Sequence, residues 1–232
     1  MPLTRRLTAA ALLACAGVTA WSADLTTSEQ RWLKAGWPVV LYAKAQQLPL
    51  DIIVQPASKA GDAPLAMGYR RGQCLLVLTM RGNPGVDSAL EGVAADLSPV
   101  VVEAMFAHEI GHCWRHVNGS WHSPATAARD AAGAAGNPAL AQAERVMSDT
   151  RSEEGYADLV ALAWTRSHHP AQYAQVHAWL AAYRADQPVA GAHHDTRAWI
   201  DLAADPDVFG RGGTPFEQAE PVWRRGLAGS AH

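Results

Sequence analysis

The stretch MFAHEIGHCWRH, running from Met105 to His116, constrains this chain most, because its polar residues fall at a helical spacing. In a helix, residues four apart share a face and lie about 6 Å apart along the axis, so His108 and His112 can each aim a ring nitrogen at one point. Glu109 then lies on the neighbouring edge. Ser98 and Pro99 provide a good helix start, the serine as N-cap and the proline in the first turn, so one helix is expected from there through the histidines. Val101 and Met105 precede the histidines at helical spacing, which makes the histidine face the buried one. Gly111 would let another element approach closely. His116 lies about 12 Å along the axis from His108 and reads as a surface histidine.

The pattern is H-E-x-x-H. Two neutral imidazoles bind zinc, and the carboxylate, too far round the helix to ligate, takes a proton from the water that the metal activates. A catalytic zinc needs a third protein ligand and one open position. The metzincin arrangement is excluded, because its glycine position holds Arg115 and its last histidine position Asn118. Two later segments remain, TRSEEGYADLVALAW (150–164) and AHHDTRAWI (192–200). In the first, Val146, Thr150, Glu154, Ala157 and Ala161 form one stripe, so Glu154 is a charge where a small or apolar side chain is expected. A buried carboxylate needs a cation. Asp158, one turn on, could accept the spare N–H of a liganding histidine and fix its tautomer. Glu153 points about 100° away from Glu154 and reads as an exposed acid. The competing reading makes Glu154 and Asp158 an exposed acidic edge paired with Arg151 or Arg166.

Around this helix the pattern is α+β and mostly helical. A helix is expected over 26–47, broken or kinked at Gly36 and Pro38. A β-branched run follows at 50–55, and 65–69 and 73–80 flank Arg70-Arg71-Gly72 like the arms of a hairpin. Residues 82–96 read as loop, 118–138 as a flexible insertion or lid, and 140–167, 171–185 and 195–204 as helices. The length of 232 residues, 49% of them hydrophobic, suits one domain over 21–232. A net charge of −3 without basic clusters argues against nucleic acid as a partner.

At the N-terminus, Arg5 and Arg6 precede an apolar run over 7–18 and the small residues Val18-Thr19-Ala20, so 1–20 reads as a signal peptide cleaved after Ala20. The alternative is a lipobox at 12–15 with Cys15 lipidated. Beyond it no apolar stretch approaches the roughly 20 residues of a spanning helix. The protein is therefore expected to be exported, periplasmic or secreted. Cys74 and Cys113 then remain as an even pair where disulfides persist, and a bridge between them is expected.

HEIGH followed by TRSEEGYAD resembles the gluzincin metallopeptidases of the CAAX prenyl endopeptidase and heat-shock membrane protease group, whose second motif reads like S-R-x-x-E-x-x-A-D. Arg151, Glu154, Ala157 and Asp158 fall on that pattern, and Thr150 replaces its serine. The resemblance spans about 65–202. It implies a mostly helical, zincin-like α+β domain with a small antiparallel sheet beside the active-site helix. It further implies Glu154 as third zinc ligand, with Asp158 behind the ligands. A peptide or unfolded-protein substrate would lie along Gln73 to Met80 as an added edge strand. HHDTRAWI loosely resembles the group's H-P…R-I segment without its proline, which suggests His194, or His193 in its place, as a donor to the oxyanion. The chain lacks the membrane helices and the tetratricopeptide-like tail of some relatives, as a minimal soluble version would. The implied activity is that of a zinc-dependent endopeptidase of the cell envelope with Glu109 as general base. The rival reading is a zinc-binding envelope assembly or binding protein with little or no turnover.

Overall fold

The structure, a computed structural model, describes residues 24–119, 138–185 and 192–229. The expected signal segment and nearly all of the 118–138 excursion lie outside the described residues. The elements run α1 (Thr27–Ala45), β1 (Leu50–Val54), β2 (Leu65–Arg70), β3 (Gln73–Leu78), α2 (Gly85–Ser88), α3 (Ser98–Val117), α4 (Pro138–His168), α5 (Tyr173–Ala185), α6 (Arg197–Leu202) and α7 (Pro215–Gly229). The fold class is α+β, predominantly helical with one small sheet.

Thr26 starts α1 with a capping box: its hydroxyl accepts from Glu29 N at 3.2 Å, and its own N–H donates to Glu29 Oε2 at 2.7 Å. The break expected at Gly36 and Pro38 does not occur, since α1 is continuous through both. Gly36 serves packing instead. A Cβ there would lie 2.2 Å from the Phe106 ring of α3, so the missing side chain is what seats α1 on α3. That tertiary contact offsets the hydrogen bond lost at Pro38.

Arg71 (φ 52°) and Gly72 (φ 81°) turn the β2–β3 hairpin, both in the left-handed region that a tight two-residue hairpin loop requires. β2 pairs antiparallel with β3 from Leu65↔Leu78 to Arg70↔Gln73, while β1 pairs parallel with the other side of β3. The sheet order is therefore β1-β3-β2, and the sheet is mixed. This corrects the expectation that Gln73 to Met80 offers an edge: β3 is the middle strand, because β1 occupies its second side. Among the described residues, the outer strand on the α3 side is β2. Along that hairpin the Pro64–Thr79 pair exchanges a ladder bond (Thr79 N to Pro64 O, 2.9 Å). By strict alternation Leu65, Met67 and Tyr69 then turn their main-chain groups away from β3.

α3 begins at Ser98 itself, with Pro99 in the first turn. Leu97 stands at the cap without a side-chain bond, so Ser98 is not the N-cap. The helix lies against α1, α4 and the sheet. Gly111 marks its closest approach to α4, where a Cβ would meet Val160 Cβ at 3.2 Å and Ala157 Cα at 3.3 Å. The first turns of α4 are exposed, Leu140, Val146 and Met147 included. From Ser152 to Thr165 α4 is mostly buried, against α3, α5, α6 and α7. The sequence reading did not anticipate α7, although its side chains close the core: Trp223 Nε1 donates to Ser152 O (2.6 Å) and Trp199 Nε1 to Trp223 O (3.0 Å). A disulfide joins Cys74 of β3 to Cys113 of α3, Cα to Cα 5.7 Å, one residue past His112. Among the described residues no helix is long and apolar enough to cross a membrane.

Candidate metal centre

α3 and α4 cross where their chemistry-bearing side chains converge. His108 Nε2 and His112 Nε2 lie 3.1 Å apart. Glu154 reaches them from α4, with Oε2 3.5 Å from His108 Nε2 and Oε1 3.3 Å from His112 Nε2. An ion held tetrahedrally at about 2.0–2.1 Å spaces its ligands about 3.3 Å apart, which is the spacing of these three side chains. His108, His112 and Glu154 thus form a triad able to hold a metal ion, and they are the group among the described residues with that geometry. Two imidazoles and one carboxylate suit a borderline-soft divalent ion such as zinc and leave a fourth position open.

Asp158 lies fully buried behind the triad. Its Oδ1 is 2.8 Å from His108 Nδ1, which places a proton on Nδ1 and aims Nε2 toward Glu154. The other partners of Asp158 come from elsewhere in the chain. Arg184 of α5 donates from Nε to Oδ2 (2.9 Å) and from a terminal nitrogen to Oδ1 (2.8 Å), and Thr196 Oγ1 donates to Oδ2 (2.6 Å). Arg184 also reaches Glu154 Oε2 at 3.2 Å. Burial disfavours a charge on Asp158, but Arg184 and His108 outweigh it and hold the carboxyl well below the usual range. Glu154 is likewise held low, against burial, by the two histidines. Burial opposes protonation of His108 too, yet the two carboxylates raise its pKa to about 10. A metal ion held there at neutral pH would have to displace the proton of Nε2.

Glu109 is half-buried on the adjoining edge of α3. Burial pushes its carboxyl up, and His108 and His112 pull it part of the way back. With the triad it lines a cavity of about 400 Å³ bounded by β2, α3, α4 and α5. His194 lines the same cavity with Nε2 3.7 Å from Glu154 Oε2 and its side chain 40% exposed. His193 packs against His194, ring centroids 4.0 Å apart, and does not line the cavity. His116 is exposed and stacked on Tyr69 at 3.9 Å, away from the triad.

Three expectations need correction. Glu153 is not an exposed acid: it is 2% exposed and accepts from Arg115 Nε and a terminal nitrogen, both at 2.8 Å. It does point away from Glu154, but α7 covers that side, where the Arg115 guanidinium lies 4.2 Å over Trp223 and 4.9 Å over Tyr156. Nor does Arg166 supply the cation for the acidic pair. Arg166 pairs with Asp207 at 3.5 Å, and Arg184 holds both Glu154 and Asp158. The stripe that faces α3 also starts later than the spacing suggested, since Val146 is exposed. Arg184 and Thr196 were missed because nothing in their local sequence marks them; only the demand that a buried carboxylate find a cation pointed to such a residue.

No protein-family model matches this chain, and no curated protein or solved structure is significantly similar to it.

Proposed function

We propose that the protein is a zinc-dependent endopeptidase, as its resemblance to the gluzincin group suggests. The reading rests above all on one observation: the His108, His112 and Glu154 side chains stand at ligand spacing with the carboxylate of Glu109 beside them, in a cavity lined by the outer strand β2. When bound, zinc supplies Lewis acidity, drawing the pKa of water toward neutrality and polarising a carbonyl. His108, His112 and Glu154 would hold it. Asp158 keeps His108 in the Nδ1–H tautomer, and Arg184 and Thr196 keep Asp158 ionised and oriented. Glu109 accepts the proton of the attacking water and returns it to the leaving amine. Its burial raises its affinity for that proton. His194, which lines the same cavity, would donate to the oxyanion that develops on the carbonyl. The substrate backbone pairs with the outward main-chain groups of Leu65 and Met67 on β2. The apparent signal segment and the Cys74–Cys113 bridge support a site of action in the cell envelope.

Glu109→Gln is the direct test. Because Glu109 is assigned to proton transfer and not to ligation, the variant should keep about one zinc per chain and lose at least 10²- to 10⁴-fold in cleavage of unfolded casein. Undiminished turnover would remove the mechanism. Wild-type protein that binds zinc but cleaves neither casein nor shorter peptides would favour the binding-protein reading.

A further inference from the structure

Resting on the peptidase reading, we infer that the cavity beside the triad is a specificity pocket for one large, uncharged apolar side chain next to the scissile bond. Away from the triad its walls are Leu65 and Met67 of β2, Met105 of α3, and Val176, Trp179 and Leu180 of α5. Its ionisable lining residues are the triad, Glu109, Asp158, Arg184, His194 and two tyrosines, Tyr69 and Tyr183, and burial pushes the Tyr69 phenol up so that it stays neutral. Arg184 already donates to Asp158 and Glu154, so it cannot receive a substrate carboxylate without giving up a partner. The carboxylates all stand at the metal end, which leaves none to receive a lysine in the apolar lobe. The Thr150 hydroxyl is turned back onto Val146 O at 2.9 Å, and the Tyr69 ring stacks on His116 at 3.9 Å. Tyr183 stacks on Trp179 at 5.5 Å and extends the apolar wall. About 400 Å³ accommodates the ion and a leucine- or phenylalanine-sized side chain together.

The strand register supports this. Leu65 and Met67 share one face of β2 and both line the cavity, so a peptide paired along that edge directs alternate side chains to the same face. One of those side chains enters the lobe. Charged groups there would lose water without gaining a partner.

The test uses blocked peptides that differ at one position, carrying Leu, Phe, Ala, Asp or Lys, with the zinc-loaded protein. The Leu and Phe peptides should exceed Ala at least tenfold in kcat/KM, with Asp and Lys lower still. Met67→Glu, a change at a half-buried edge position, should shift the preference from Leu toward Lys, and Trp179→Ala should erase the advantage of Phe over Ala. Equal rates across the series, or a preference for a charged residue, would overturn the pocket. Calorimetric binding of the same peptides to zinc-loaded Glu109→Gln separates the two ideas. Apolar-selective binding without wild-type turnover supports the pocket and overturns the peptidase reading; turnover indifferent to the side chain does the reverse.

Discussion

Glu153 and Glu154 are adjacent and chemically identical, yet the roughly 100° turn between them sends one to Arg115 and the other to the histidines. Their replacement should fail in different ways. Glu154→Ala removes the only carboxylate of the triad, leaving two imidazoles and an ill-held ion, so most of the zinc should be lost. Glu153→Ala takes from the buried Arg115 guanidinium its two-bond carboxylate partner and leaves it the longer, partly exposed contact with Glu220 at 3.7 Å. Breaking a buried pair from one side costs about 3–5 kcal/mol, far more than an exposed acid would. The folded fraction should still hold zinc. Zinc content and thermal midpoint, measured for both variants, check this; a metal-free Glu153→Ala beside a metal-replete Glu154→Ala would show that the assignment is reversed.

Among the elements, contact between helices depends on where side chains are missing. Trp199 of α6 lies between Gly155 of α4 and Gly226 of α7, where added Cβ atoms would stand 2.6 and 2.3 Å from its ring. Its indole N–H is tied to Trp223 O, so the ring has little room to give. Gly155→Ala therefore sets two effects against each other. Helix propensity favours alanine by about 1 kcal/mol, whereas overpacking a filled core costs about 1–3 kcal/mol. Because the clash is with a ring held on both sides, the loss should win, and the urea midpoint should fall. A raised midpoint would mean that α6 shifts freely, and with it the segment carrying His194 and Thr196.

At the scale of the whole molecule, the bridge between Cys74 and Cys113 ties the middle strand of the sheet to the helix bearing both histidines, across a sequence separation of 39. Closing a loop of that length should contribute about 4 kcal/mol in the chain-entropy model. The Cys74→Ala/Cys113→Ala double variant should unfold correspondingly earlier in denaturant; a loss of under about 1 kcal/mol would rule out the loop-closure account. What the sequence by itself determined is local. The 3.6-residue period placed His108 and His112 on one face and singled out Glu154 as a charge on an inward stripe, and the turn chemistry of Arg71-Gly72 marked the hairpin. Those signals are legible because each rests on residues within a few positions of one another. Only the tertiary structure decided that β1 would take the second side of β3 and leave β2 as the edge, that α7 would bury Glu153 against Arg115, and that Arg184 and Thr196 would meet Asp158. Each of these joins segments far apart in the chain, and periodicity within one segment carries no information about which distant partner will cover its face.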